Sequence, residues 1–338
     1  MVTAISYDPR QNQNVRKDHH QQHAIVVVEE IAGLIKVYND GHVERPPIVP
    51  IVPPNSLPDV TAKDVIFHSP SNLWSRIYLP NTSKYKLPLL VYFHGGGFSV
   101  GSAAWKCYHD FLSTLASKIG VVIMSVNYRL APEYRLPAAY DDGFHAITWL
   151  KNQATVNSKE QNWWSSKCNL SDMFLSGDSA GANIAYHVAI KLNSYNNLKP
   201  LCLKGLILIQ PFFGGELRTH SENYSVLPSY SALDLSASDT YWRIALPVGA
   251  NRDHPWCRPR LNSNNMKLPS VLICISEVDI LKDRNLEMCS MLADAGIKVE
   301  KQVYKGVGHA FHILHNSPLS QSRTQDMMFH LKAFIYNQ

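Results

Sequence analysis

The chain has 338 residues, 45% of them hydrophobic and 17% charged, a composition that suits a large buried core and excludes the disordered, fibrous and low-complexity classes. Lys and Arg number 32 against 27 Asp and Glu, a formal net charge of +5; no long basic block is present to neutralise a phosphate backbone, so nucleic acid is not an expected partner. No stretch of about 20 apolar residues is present to span a bilayer, which argues against a membrane, and at about 150 residues per domain the length leaves one or two domains open.

Residues 1–24 are polar and carry His19, His20 and His23, which read as a solvated, disordered tail rather than a metal site. The tail lacks the apolar centre of an export signal. The expected location is therefore the cytoplasm, with the nucleus as a second compartment, and the N-x-[ST] sequons at Asn81, Asn169 and Asn223 read as chance matches. Cys107, Cys168, Cys202, Cys257, Cys274 and Cys289 are scattered without a CxxC pair, and a chain of this length buries enough area without disulfides. Reduced thiols are the expectation.

From Ile25 the pattern changes. Leu34 to Tyr38 alternates, Asn39-Asp40-Gly41 is a hairpin turn signal, and a second short strand follows. The Pro-rich run 46–59 cannot hold a central strand and reads as an extended connector. Val65 to Phe67 and Trp74 to Leu79 look like antiparallel strands; Leu89 to Phe93 and Val121 to Val126 look like fully buried ones, with a crossover helix over Cys107 to Lys118 between them. Pro137 to Leu150 is helical, Met173 to Ser176 a strand, and Ala180 to Leu192 a helix. The alternation continues with strands at Leu206 to Ile209, Val271 to Ile275 and Val299 to Tyr304, and helices at Leu286 to Ala295 and Ser322 to Ile335. Such alternation predicts an α/β fold, a mostly parallel central sheet with helices on both faces. An insertion at 212–265, rich in aromatic residues, Pro and Asn, breaks the rhythm. Together with residues 25–60 it is expected to cover the carboxyl edge of the sheet, where open α/β sheets bind ligands.

Two motifs carry chemistry. Gly177-Asp178-Ser179-Ala180-Gly181 lies directly after the run MFLS and before a helical segment. Small residues at its ends permit the tight turn that lifts a serine oxygen above a sheet, and the helix starting at Ala180 offers unpaired N–H groups to a developing negative charge. His94-Gly95-Gly96-Gly97-Phe98 follows the buried run LLVYF. Three successive glycines mark a close backbone approach to something, here an oxyanion held by the amides of Gly95, Gly96 and Ala180. No GK[ST] follows and the spacing is not GxGxxG, which disfavours a nucleotide cradle.

An activated serine needs a base and an orienting carboxylate. Asp279 follows the buried strand VLICISEV, and His309 follows VEKQVY in Gly306-Val307-Gly308-His309-Ala310-Phe311. Both fall just past strand ends, in the order Ser179, Asp279, His309, which is the α/β-hydrolase order. Asp283 is the nearest rival to Asp279 but sits further along a starting helix, where it would cap or pair. Asp178 is expected to brace the turn, Arg129 and Glu133 to form a structural ion pair, and Asp141 and Asp142 to open a helix where negative charge is favoured. The motif positions from His94 to His309 require one continuous sheet, so residues 25–338 are read as a single α/β domain with its cover.

These segments, with IAGLIKVYNDGHVERP, VYFHGGGF, VNYRLAPEYRLPAAYDD and PFFGGELRTHSEN, resemble the plant carboxylesterase family within the HGGG-type, hormone-sensitive-lipase-like α/β-hydrolases. The resemblance covers about residues 28–336. The family also contains the gibberellin receptor, strigolactone-cleaving esterases, hydroxyisoflavanone dehydratases and cyclases of alkaloid pathways. Receptor members replace the catalytic histidine, legume dehydratases commonly use threonine as nucleophile, and cyclases show a disrupted triad or oxyanion segment; this chain keeps His309, Ser179 and the three glycines.

The expected activity is hydrolysis of small, mostly hydrophobic plant metabolite esters through an acyl-serine, without cofactor or metal, by a monomer or weak homodimer. The runner-up is elimination or cyclisation on a specialised metabolite, and a further alternative is a hormone-receptor-like binding protein. Phe98, Phe213, Tyr224, Trp242 and His312 are the expected walls of the substrate pocket.

Overall fold

The structure is a computed structural model that describes residues 24–55, 57–82, 86–155, 160–195, 197–227, 231–261 and 267–338; the histidines of the amino-terminal tail lie outside them. Three short strands, β1 (Val27–Ile31), β2 (Ile35–Tyr38) and β3 (Val43–Glu44), form an antiparallel sheet. The β2–β3 turn falls at Asn39-Asp40-Gly41, where Gly41 takes the left-handed φ of 88° and Asp40 accepts the His42 amide at 2.9 Å. The proline-rich connector then runs across the body, held by the Val52 amide on the Ala104 carbonyl and the Lys106 amide on that of Pro50.

The main sheet contains β4 (Val60–His68), β5 (Leu73–Pro80), β6 (Leu87–Phe93), β7 (Val122–Asn127), β8 (Cys168–Asp178), β9 (Leu203–Ile209), β10 (Ser270–Val278) and β11 (Val299–Gly308), in the order β11-β10-β9-β8-β6-β7-β5-β4. β4 and β5 pair antiparallel, β5 runs antiparallel to β7, and the strands from β7 to β11 are parallel. Alternation along β6 divides the core. Leu89, Val91 and Phe93 face one cluster with Ala146, Ile147 and Leu150 of α2 (Ala138–Thr155), Ile184 and Val188 of α4 (Ala180–Asn193) and Leu292 of the helix Lys282–Asp294. Leu90 and Tyr92 face the other, with Phe111, Leu112 and Leu115 of α1 (Lys106–Leu115) and Met327, Leu331 and Phe334 of the carboxyl-terminal helix Pro318–Tyr336. Numbered in chain order, α3 is Asn162–Ser165, α5 His220–Tyr224, α6 Leu235–Ala245, α7 Lys282–Asp294, α8 Phe311–Leu314 and α9 Pro318–Tyr336. The expected crossover helix over Cys107 to Lys118 is α1 plus a wide turn at Ala116–Gly120. Among the described residues, no helix is long and apolar enough to cross a membrane.

The insertion at 212–265 contributes α5 and α6, and α6 meets the small amino-terminal sheet through a bidentate pair of Arg243 with Glu29 at 2.9 Å. Arg45 fastens the same sheet to the body. Its guanidinium reaches both Glu133 carboxylate oxygens, at 2.7 and 2.6 Å, and donates to the carbonyls of Ser99 and Ala131. The expected Arg129–Glu133 pair is therefore not formed. Arg129 binds the wholly buried Asp142, 2.6 Å from Nη2 to Oδ1, because Glu133 lies past a turn and faces the incoming chain at Arg45. Of the two helix-opening aspartates, only Asp141 lies in the first turn of α2, where it pairs with Lys191 at 2.6 Å; Asp142 points inward.

Candidate active site

β8 ends at Asp178 and α4 starts at Ala180, so Ser179 alone makes the turn, with φ 52° and ψ −119°. A non-glycine residue rarely adopts such a conformation. Both flanking glycines are needed to permit it: a Cβ at Gly181 would strike the Phe93 carbonyl, and one at Gly177 would strike the Gly181 backbone. The turn is further fixed by the Ser179 amide donating to the Ile209 carbonyl at 2.8 Å and the Phe212 amide donating to the Ser179 carbonyl at 3.0 Å.

Asp279 lies just beyond β10 and His309 just beyond β11, both buried. His309 Nε2 is 2.9 Å from Ser179 Oγ, and its Nδ1 is 2.8 Å from Asp279 Oδ2. The other Asp279 oxygen accepts the Leu281 amide at 3.0 Å. With Nδ1–H donating to the carboxylate, Nε2 presents a lone pair to the serine hydroxyl. Burial alone pulls the imidazole pKa down, but the charge and hydrogen bond of Asp279, with the charge of Asp178, outweigh it, so His309 titrates above its ordinary 6.5. Asp283 takes no part: it accepts the Ser221 amide at 2.7 Å.

Asp178 links the turn to the glycine segment. Its carboxylate accepts from Tyr92 (2.8 Å), Tyr108 (2.9 Å) and the Gly95 amide (3.0 Å). Burial raises its pKa from 3.8 to about 6, against the lowering effect of the two tyrosine bonds. His94 lies under the segment, stacked on Tyr128 at 4.2 Å, its Nδ1–H donating to the Gly95 carbonyl at 2.8 Å. Burial lowers its pKa to about 4, so it is a neutral structural ring.

The Gly95 amide, expected among the oxyanion donors, is thus already used: it points at Asp178 and at the Tyr108 hydroxyl, 2.7 Å away. The amides of Gly96 and Gly97 carry no hydrogen bond among the described residues, and both glycines line the cavity over Ser179. Ala180 opens α4, where the first-turn amide has no intrahelical partner. The geometry therefore offers Gly96, Gly97 and Ala180 as donors. Gly97 has a left-handed φ of 57°, and a Cβ there would overlap the Tyr241 ring, so that wall of the cavity rests directly on backbone.

The cavity has a volume of about 330 Å³ and draws walls from the amino-terminal segment (Leu34, Ile48), the glycine segment (Val100) and the insertion (Phe212, Leu233, Tyr241), with Ser179 and His309 in its lining. None of the five expected pocket residues lines it. Phe98 and Trp242 are core, packed on Phe212 at 6.1 and 4.7 Å between ring centroids. Phe213 turns the other way, onto Tyr186, and Tyr224 is 69% exposed. His312 is buried against Phe111 on the far side of α8. In three cases the wall is the adjacent residue, Phe212, Tyr241 or Ile313, since one step along a chain reverses or rotates the side chain.

Gln210 has no counterpart in the sequence-based expectations. It sits at the end of β9 with φ 46°, its Oε1 accepts the Ala310 amide at 2.7 Å, and its Nε2 donates to Ser276 and the Gly308 carbonyl. It positions the turn that carries His309. Its only sequence signal is a lone amide after an apolar strand.

Among the described residues no group of three His, Cys, Asp or Glu is placed to hold a metal ion. A strained serine turn at the end of a parallel strand, with an aspartate and a histidine delivered by later strands to the same edge of the sheet, defines an α/β hydrolase. Comparison with known proteins agrees. Residues 90–313 match the α/β hydrolase fold family. The chain is 48% identical to the protein named "probable carboxylesterase 6" of Arabidopsis thaliana, over 92% of each chain, and 35% identical to a 3-O-acetylpapaveroxine carboxylesterase of Papaver somniferum, over 82% of this chain and 89% of that one. Among solved structures, a hyperthermophilic esterase from Pyrobaculum calidifontis superposes with a TM-score of 0.68 at 27% identity, covering 81% of this chain and 84% of the other. The chain belongs to the plant carboxylesterase family of α/β hydrolases.

Proposed function

We propose that this protein is a serine carboxylesterase acting on small, mostly hydrophobic plant metabolite esters, with Ser179, His309 and Asp279 as its catalytic residues. The observation that carries this reading is the continuous hydrogen-bonded chain from Ser179 Oγ through His309 to Asp279, at 2.9 and 2.8 Å, beneath an apolar cavity.

His309 Nε2 takes the hydroxyl proton as Ser179 Oγ attacks the ester carbonyl. Asp279 holds the tautomer and stabilises the imidazolium that forms. The carbonyl oxygen becomes an oxyanion and moves toward the amides of Gly96, Gly97 and Ala180, which stabilise its charge. The imidazolium returns the proton to the departing alkoxide oxygen, leaving the acyl group on Ser179. Water, deprotonated by the same nitrogen, then attacks the acyl carbon; the acyl–Oγ bond breaks, the imidazolium returns the proton to Ser179 Oγ, and the acid is released. The intact triad supports turnover over a pure hormone-receptor role, and a nucleophile in bonding contact with its base supports acyl transfer over elimination.

The test is steady-state hydrolysis of a short 4-nitrophenyl ester by the wild type and by Ser179→Ala. Loss of at least about 10³-fold in kcat supports the reading; a variant that keeps full rate overturns it.

A further inference from the structure

Two cavities meet at His309. Beside the apolar one lies a cleft of about 580 Å³ that shares Ser231, Ala232, His309 and Leu314 with it, so that the two adjoin along these four residues. The cleft is the more polar of the two. Beyond the shared residues its lining combines residues 306–308 of β11 and the apolar Val278 and Leu319 with the polar side chains of His315, Asn316, Ser317 and Ser320, and it includes no Lys, Arg, Asp or Glu. β11 is the outermost strand of its sheet, so the backbone on its outer side has no neighbouring strand to pair with.

Two side-chain donors of the lining remain to be used. Asn316 accepts from Gln321 Nε2 at 2.7 Å through its oxygen, which leaves its amide hydrogens for another partner. Ser320 accepts at Oγ from the Ser317 hydroxyl at 2.9 Å, which leaves its own O–H to donate. A charged ligand would lose hydration here without meeting an opposite charge, whereas an uncharged ligand with hydroxyl groups exchanges water for these partners at little cost.

The mechanism decides which half of an ester would reach this cleft. With the oxyanion fixed toward Gly96, Gly97 and Ala180, the ester oxygen must face His309 Nε2, because that nitrogen protonates it. The alcohol half therefore departs on the His309 side, and the acyl half stays against Phe212, Tyr241 and Val100 in the apolar cavity. Resting on the esterase reading above, we propose that the cleft is the leaving-group site and that it takes an uncharged alcohol bearing further hydroxyl groups, such as a polyol or a glycoside. The favoured substrates are then esters with an apolar acyl group and a polar, hydroxylated alcohol.

Acyl transfer reads the alcohol site without involving acyl specificity. The wild-type enzyme is supplied with 4-nitrophenyl butyrate and, in separate reactions at equal concentration, with glycerol, methyl glucoside or 1-propanol. In transfer the acceptor oxygen bonds to the acyl carbon as the acyl–Oγ bond breaks, and the acceptor proton passes through His309 Nε2 to Ser179 Oγ. The hydroxylated acceptors are expected to capture at least about tenfold more butyryl ester than propanol, the effect of one or two hydrogen bonds. In Asn316→Leu that ratio falls at least about threefold. Equal or better capture by propanol in the wild type overturns the proposal while leaving the esterase reading intact. Butyrate release undiminished in Ser179→Ala would overturn the esterase reading itself, and this proposal with it.

Discussion

Asp178 accepts the Gly95 amide hydrogen at 3.0 Å, joining the residue beside Ser179 to the glycine segment that lines the cavity above it. The two sides of the reacting centre, carried by β8 and by the turn after β6, are held in register by this bond and by the tyrosine bonds to the same carboxylate. Removing the charge in Asp178→Asn is expected to lower kcat about 10- to 100-fold with KM nearly unchanged, since the loss falls on the transition state.

The same substitution separates function from stability. A carboxyl whose pKa rises from 3.8 to about 6 on folding holds its proton more tightly folded than unfolded between those values. Stability contributed by this group therefore falls as pH rises through that window, by about 3 kcal/mol in total. Asp178→Asn is neutral at every pH, so its melting temperature at pH 7 should be no lower than that of the wild type. Calorimetry alongside kinetics checks this; a destabilised variant with full kcat would contradict the assignment.

His309 must be neutral to accept the serine proton, and its pKa lies above 6.5 because Asp279 favours the charged ring. The acid limb of kcat/KM is therefore expected above pH 6.5. In Asp279→Asn the favouring charge is gone, so the limb moves to lower pH while kcat falls about 10³- to 10⁴-fold. A pH–rate profile of both proteins reads the two effects separately.

Gln210 ties three strand ends beneath the His309 turn. Gln210→Leu leaves the Ala310 amide without its acceptor, and the expected result is a fall in kcat/KM of about 10- to 100-fold, with about 1–3 kcal/mol of lost stability in denaturant titration. Retained activity with lost stability would make it a purely structural residue.

Arg45 holds the amino-terminal part of the cover to Glu133 and to two backbone carbonyls. Arg45→Met should loosen the walls at Leu34 and Ile48, raising KM about three- to tenfold with a smaller change in kcat. Limited proteolysis of the proline-rich connector should speed up in parallel.

How much of this was legible in the sequence depends on whether a feature is set by the chain's own spacing or by what folds against it. Ser179, Asp279 and His309 each follow an apolar strand run, and parallel strands deliver their carboxyl ends to one edge, so order and spacing sufficed to assemble them. The glycine segment was located, but that the Gly95 amide is taken by Asp178 and Tyr108 was not foreseen, because nothing local says which of three successive glycine amides finds a partner in the fold. The same holds for Phe213 and Trp242, whose neighbours Phe212 and Tyr241 form the wall: composition marks an aromatic insertion, but the phase of a loop or a short helix is set by packing. Arg129 found Asp142 rather than Glu133, since charged partners separated by a turn are chosen by the fold and not by proximity in sequence.

The most direct measurement is the intact mass of the enzyme after rapid acid quenching of its reaction with 4-nitrophenyl butyrate, followed by mapping of the modified peptide. A gain of one butyryl group is expected, located on Ser179, formed before steady state and absent from Ser179→Ala. Product formation with no covalent adduct, or an adduct that persists in Ser179→Ala, would contradict it.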